Sequence, residues 1–175
     1  MSWRLSSKDT GLLVVDAQEK LVPAIQSPSG WLDRLVILIQ GARLLELPVV
    51  LTEQVPAKLG KTVEAVQKAA GEKALPKTKF SAAEEGKSLE RKRILVAGCE
   101  THVCIRQTVY DLRLKELTPV VVADAVGSRH GGDRDVALAE MRGDGVVVST
   151  VEAVLFELLA GSEHPKFREI QALLK

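Results

Sequence analysis

The chain has 175 residues, enough for one ordinary domain with a full core. An apolar fraction of 46% with 27% charged residues excludes a disordered or fibrous protein, and 24 basic against 23 acidic side chains leave a formal charge of +1, too small to recruit nucleic acid or an acidic membrane at long range. No apolar run reaches the roughly 20 residues of a bilayer-spanning helix, and the polar start MSWRLSSKDT lacks the apolar centre of a signal peptide, so the expected location is cytoplasmic.

In chain order, short apolar runs alternate with helical periodicity. GLLVVDA (residues 11–17) is the first strand candidate, followed by a helix over 31–46 in which Leu32, Leu35, Val36, Ile39, Ala42 and Leu45 recur mostly every third residue and line one face. LPVVLTE (47–53) is the second strand, and a helix follows over 61–70. Residues 75–78 can supply a further strand, because the connection from Glu53 to Arg93 is long enough for a crossover on each side. A helix over 82–91 precedes RILVAG (93–98), with the ERKR run at 90–93 read as a solvated helix end. Then come a helix over 101–116, the strand PVVVADA (119–125), a helix over 132–142, the strand GVVVST (145–150) and helices over 151–160 and 165–174. Runs that are short, β-branched and continuously apolar suit strands covered on both faces. The alternation implies a mostly parallel α/β sheet of six strands with helices on both sides, formed by 1–175 as a single domain.

In such sheets functional groups gather beyond the carboxyl ends of the strands. Asp16 follows LLVV directly, Lys77 lies in LPKTKFSA, and Cys104 lies in VAGCETHVCIRQT after RILVAG. Each has an alternative role: Asp16 as a helix or turn cap, Lys77 as a surface lysine, Cys104 as a small buried hydrophobe. Together they make one chemistry. An ordinary thiol titrates near about 8.5, and a helix N-terminus with a neighbouring ammonium lowers that value, so Cys104 beside Lys77 is expected to be thiolate-prone. A carboxylate such as Asp16 can take the thiol proton, deliver it to a leaving amine and later activate water. Backbone N–H groups of the same turn can hold an oxyanion. Two cysteines, Cys99 and Cys104, are too few for a disulfide scaffold, and with His102 alone beside them they lack the second ligand pair of a zinc site.

VVDAQEKL (14–21), KTKFSA (77–82), GCETHVCIRQTVYDL (98–112) and VVADAVGSR (121–129) occur in the order seen in the isochorismatase-like cysteine hydrolases, and the chain resembles that family nearly end to end. LTEQVPAKLGKT (51–62), ALAEMRGDGVVVSTVEAVLFELL (137–159) and the terminal HPKFREIQALLK resemble most the branch of isochorismatase domain-containing proteins. The resemblance implies a three-layer, Rossmann-like fold, a catalytic triad of Asp16, Lys77 and Cys104, and a cis peptide between Cys99 and Glu100 that turns the Glu100 N–H, with that of Cys104, into an oxyanion hole. It also makes Gln18, Gln54 and Phe80 candidates for substrate contact.

Relatives that hydrolyse nicotinamide hold a metal through Asp and His residues after the second strand. The corresponding TEQVPAKLGKT (52–62) contains neither, and His102, His130 and His164 are scattered, so no metal and no other cofactor is expected. True isochorismatases cleave a vinyl ether without a nucleophilic thiol, whereas this chain keeps Cys104. The expected function is therefore hydrolysis of a small amide-like C–N bond through a thioester. Vinyl-ether hydrolysis with Asp16 as acid, and a non-catalytic binding module, are the alternatives. The expected partners are a small-molecule substrate and further copies of the chain, with Trp31, Phe156 and Phe167 as candidate subunit contacts, and neither nucleic acid nor membrane.

Overall fold

The computed structural model describes residues 4–175; residues 1–3, which begin the polar N-terminal stretch, lie outside the described residues. Six strands are present: β1 (Thr10–Val15), β2 (Val49–Gln54), β3 (Leu75–Lys77), β4 (Arg93–Cys99), β5 (Thr118–Gly127) and β6 (Val147–Ser149). They form one sheet in the order β3-β2-β1-β4-β5-β6, and every pairing is parallel. The helices are α1 (Trp31–Leu44), α2 (Pro56–Leu59), α3 (Glu64–Ala70), α4 (Ala83–Lys87), α5 (Arg106–Leu114), α6 (Gly131–Gly143), α7 (Val151–Leu159) and α8 (Phe167–Leu173). The sequence therefore points correctly to the three-layer architecture and to all six strands, including the short one at 75–77.

Continuously apolar strands work here because successive side chains serve two cores. Leu12 and Val14 of β1 join Leu95, Ala97, Val120 and Val122 in one core, which also contains Leu35, Val66, Leu155 and Ile170 from α1, α3, α7 and α8. Leu13 and Val15 join Ile94, Val96 and Val121 in the other, beneath Ala83 of α4, Val109 and Leu112 of α5, and Leu138 and Met141 of α6. Each fully buried Leu or Val in these layers stabilises the fold by about 1.5–3 kcal/mol relative to an exposed one. Trp31 is part of the first core at 4% exposure. Phe156 and Phe167 meet edge to face with centroids 6.0 Å apart and pack against that same core. Trp31 therefore serves the interior of the chain, which corrects its reading as a subunit contact, whereas Phe156 and Phe167 are only partly buried. The exposed large apolar residues are Leu75, Phe80, Leu114 and Val136.

Element ends differ from the periodicity for local reasons. The helix expected over 82–91 stops at Lys87, where Ser88 turns its hydroxyl back onto the Glu85 carbonyl at 2.6 Å and Glu90 takes φ +52°. The ERKR run is thus the connection into β4 rather than a helix end, and its last residue, Arg93, pairs with Asp9. The helix expected from Thr101 opens with a π-helical turn, Thr101–Ile105, in which the Ile105 N–H reaches the Glu100 carbonyl at 3.1 Å.

The strand order places a topological switch between β1 and β4, since the chain runs outward from β1 through β2 to β3 and from β4 through β5 to β6. At the carboxyl end of this pair Gly98 lies opposite Val15 and has φ +111°. A Cβ at Gly98 would sit 2.0 Å from the Val15 carbonyl oxygen, so only glycine lets the two strand ends approach this closely.

Candidate active site

Asp16, the residue that follows β1, has φ +53°, a left-handed conformation uncommon for a residue with a side chain. Its backbone is tied on both sides. The N–H donates to the Thr52 carbonyl at 3.2 Å, and the carbonyl accepts from the Gln18 N–H at 2.8 Å and the Cys99 thiol at 3.2 Å. The carboxylate is fully buried. Thr52 within β2 donates its hydroxyl to Oδ1 at 2.8 Å, and the Lys77 ammonium reaches Oδ2 at 2.6 Å.

Lys77 ends β3, and its side chain is 2% exposed. Besides Asp16, its Nζ donates to Gln54 Oε1 at 2.7 Å and to the carbonyls of Lys79 and Phe80 at 3.1 and 3.0 Å. A buried ion pair persists only when further hydrogen bonds satisfy both ions, and Thr52, Gln54 and two loop carbonyls do so here. The sequence leaves Thr52 unremarked, because its role depends on β2 lying beside β1.

Gln18 and Gln54 are buried and hold one another. Gln18 Oε1 accepts the Gln54 N–H at 2.8 Å, while Gln18 Nε2 donates to the carbonyls of Gln54 and Gly60 at 3.1 and 2.7 Å. Gln54 Nε2 donates to the Thr78 carbonyl at 2.7 Å, leaving its Oε1 to Lys77. Both amides are thus used in fixing the loops around Lys77. Phe80, the third candidate for substrate contact, is 53% exposed. A cavity of about 600 Å³ opens beside β3, bounded by Val55, Pro56, Pro76, Thr78, Ser81 and Glu84; it reaches Lys77 but not Asp16 or Cys104, so it flanks the site.

The turn that carries Cys104 begins at a cis peptide between Cys99 and Glu100. The Glu100 carboxylate accepts the Arg129 N–H at 3.0 Å and the Arg129 Nε–H at 3.0 Å, which anchors the turn to the segment after β5. The Glu100 carbonyl accepts from Val103 and Ile105. The Glu100 backbone N–H favours the Cys104 thiolate, while the Asp16 carboxylate is close enough to oppose it. Asp16, Lys77, Cys104 and the Glu100 backbone thus converge at the β1–β4 switch point. His102 is directed elsewhere, its Nδ1 lying 3.1 Å from the Ser128 hydroxyl. Among the described residues no three His, Cys, Asp or Glu side chains are grouped to hold a metal ion, and no helix is long and apolar enough to cross a membrane.

The electrostatics correct the expectation of a thiolate-prone cysteine. Burial first, then the Asp16 charge, pushes the Cys104 thiol up to about 12, against the opposing pull of Lys77 and the Glu100 N–H. Burial likewise raises the Asp16 carboxyl above its ordinary value, opposed by Lys77, Thr52 and Cys104. The ammonium of Lys77 spends its hydrogen bonds on Asp16 and on loop acceptors. At rest the arrangement is a neutral thiol beside a buried ion pair. Cys99, with no exposure, is likewise raised well above its ordinary value by burial and by Asp16.

Comparison with known proteins agrees with this architecture. The isochorismatase domain model matches residues 10–153. Isochorismatase domain-containing protein 2 of Danio rerio is 40% identical over 98% of the chain and 89% of its own length. Isochorismatase domain-containing protein 1 of the same species is 39% identical over 98% of the chain, which spans 62% of that longer relative. A solved structure described as MAR1 ribonuclease from Caenorhabditis elegans superposes with a TM-score of 0.92 at 37% identity, covering 98% of this chain and 92% of that one. By sequence and by fold, the chain belongs to the isochorismatase domain family.

Proposed function

We propose that the chain hydrolyses a small amide-like C–N bond, using Cys104 as nucleophile, Asp16 as proton carrier and Lys77 as the fixed counter-ion. The observation that carries this reading is the buried Asp16–Lys77 pair at 2.6 Å, with Cys104 close enough to the same carboxylate to feel its charge. A neutral thiol needs a base at the moment of attack, and Asp16 is in place to be that base. Asp16 takes the thiol proton as sulfur bonds to the substrate carbonyl carbon. The oxygen that becomes negative is held by the N–H groups of Glu100 and Cys104. Collapse breaks the C–N bond, and protonated Asp16 gives its proton to the departing nitrogen. Water then attacks the thioester, Asp16 accepts a proton from it, and the acid leaves as the Cys104 thiol is restored. Lys77 keeps Asp16 oriented throughout, and Gln18 and Gln54 keep Lys77 in place. Phe80 is assigned to substrate contact at the rim. No step calls for a metal or cofactor.

A second reading has its own support. Burial favours the protonated form of Asp16, which is the form needed to protonate a vinyl ether such as isochorismate. The deciding experiment is a panel of small amides, isochorismate and a short RNA, followed by ammonia release, pyruvate release and RNA integrity, with wild type compared with Cys104→Ala. Amide turnover that depends on Cys104 is expected. Pyruvate release that survives Cys104→Ala overturns the thioester reading in favour of the acid, and RNA cleavage overturns both. Residues 1–175 are proposed to act as one catalytic domain in a cytoplasmic homo-oligomer. Light scattering at micromolar concentration tests the assembly, and a monomeric mass counts against it.

A further inference from the structure

Thr108, near the start of α5, is fully buried and is not part of the proposed triad. Its hydroxyl donates to the Cys104 carbonyl at 2.6 Å and accepts the Ala82 N–H at 2.8 Å. The first bond is the familiar one from a helical threonine to the carbonyl four residues back. The second has no such local explanation. It crosses to the loop after β3, where the carbonyls of Lys79 and Phe80 receive the Lys77 ammonium. One oxygen therefore clamps the backbone of Cys104 to the loop that grips Lys77. The helices that carry the two segments pack closely: a Cβ added at Gly86 of α4 would lie 3.0 Å from Leu13 and 3.2 Å from Leu112 of α5.

We propose that Thr108 is a positioning residue whose bridging hydroxyl fixes Cys104 relative to the Lys77 loop. The proposal rests on the reading of Cys104 as nucleophile and adds the group that keeps it in register with the rest of the site. Replacing the hydroxyl by a methyl leaves the Cys104 carbonyl and the Ala82 N–H without this partner in a dry environment, so water must enter or the two segments must part. The groups facing Cys104 are Asp16, Lys77, Cys99 and the Glu100 backbone, and none of them is altered by the change.

The test uses iodoacetamide labelling of Cys104 against pH, read at the peptide level, with hydrogen exchange at the Ala82 amide. In Thr108→Val the labelling profile is expected to move to lower pH, because burial is the largest cause holding the thiol up, and Ala82 should lose protection. Turnover on an amide from the panel should fall by roughly tenfold to a hundredfold, mainly in kcat, because near-attack geometry rather than binding is lost. Thr108→Ser should match wild type in all three. A folded Thr108→Val with wild-type labelling and Ala82 protection overturns the proposal, as does a folded Thr108→Ser that departs from wild type. Should Thr108→Val fail to fold, Thr108→Ser decides by the same criterion. Full amide turnover in Cys104→Ala would instead defeat the nucleophile reading, while the labelling and exchange results would still report on the clamp.

Discussion

Cys99 and Cys104 lie five residues apart on one turn, and both are buried, yet their surroundings are different. Cys99 ends β4, has no exposure, and gives its thiol to the Asp16 carbonyl. Cys104 lies in the π-helical turn at 7% exposure, where the Asp16 charge opposes its thiolate and the Glu100 N–H favours it. One thiol bonds the backbone of Asp16 in its left-handed conformation; the other is coupled electrostatically to the Asp16 carboxylate, the proton carrier of the proposed mechanism. What separates the two cysteines is the neighbour each sulfur meets, and five residues of chain suffice to change it.

The largest effect should come from breaking this difference directly. Cys104→Ala is expected to reduce turnover by roughly a thousandfold or more, since removing one member of a catalytic unit costs nearly as much as removing all of it. Cys99→Ala should cost less than about tenfold, acting only through the Asp16 backbone. Circular dichroism should show both variants folded. Equal losses would point to paired-thiol chemistry and erase the distinction.

Lys77→Met sharpens the comparison at the next level. The ammonium helps the Cys104 thiolate, so its loss should raise the thiol further and slow iodoacetamide labelling at neutral pH. It also leaves Asp16 buried without its ion partner, and unfolding in urea should show a loss of about 3–5 kcal/mol. Asp16→Asn removes a charge that opposes the thiolate, so labelling should be equal or faster while turnover disappears. If Lys77→Met leaves labelling unaltered, the coupling of Lys77 to Cys104 is wrong.

How much of this was readable in advance depends on the range of the contact. Alternating apolar runs announced the strands because each has two buried faces, and the spacing of sequence motifs brought out Asp16, Lys77 and Cys104. The four-residue α2 is too short to carry a period. Thr52, Thr108 and Arg129 were not legible, because each acts on a partner 36, 26 or 29 residues away through sheet order and helix packing. The direction of the Cys104 shift was misjudged for a related reason. A helix start and a nearby lysine can be inferred from the chain, but the depth of burial, which outweighs them, cannot.

The pH dependence of activity separates the two proposed roles of Asp16. Its carboxyl is raised, so as pH falls the base is lost at a higher pH than the ordinary carboxylate value of about 3.9. The acid limb of amide turnover should therefore lie above that value, whereas vinyl-ether cleavage with Asp16 as acid should hold or grow over the same fall. Stability follows the opposite sign from amide turnover. Between the unfolded and the raised folded value the native state binds the extra proton, so the Asp16 contribution to stability increases as pH falls. The comparison is wild type against Asp16→Asn in urea unfolding as pH falls from neutral towards the ordinary carboxylate value. An acid limb no higher than that of an ordinary carboxylate would remove Asp16 from the role of base.

The smallest effect should lie at the rim, where the fixed interior gives way to an open surface. The Phe80 carbonyl is held by Lys77, but the residue is 53% exposed, between Lys79 and Ser81, which line the cavity beside β3. Its backbone thus belongs to the charge network while its side chain is free to meet a substrate. Phe80→Ala keeps the carbonyl and removes the ring, so it should raise KM by roughly threefold to tenfold with little change in kcat, the pattern of a contact made equally in ground and transition states. Iodoacetamide labelling of Cys104 should remain at the wild-type rate, since nothing that touches the sulfur has changed. A fall in kcat with unchanged KM would mean that the ring acts on the chemistry through the Lys77 loop, and would move Phe80 from the rim into the same positioning group as Thr108.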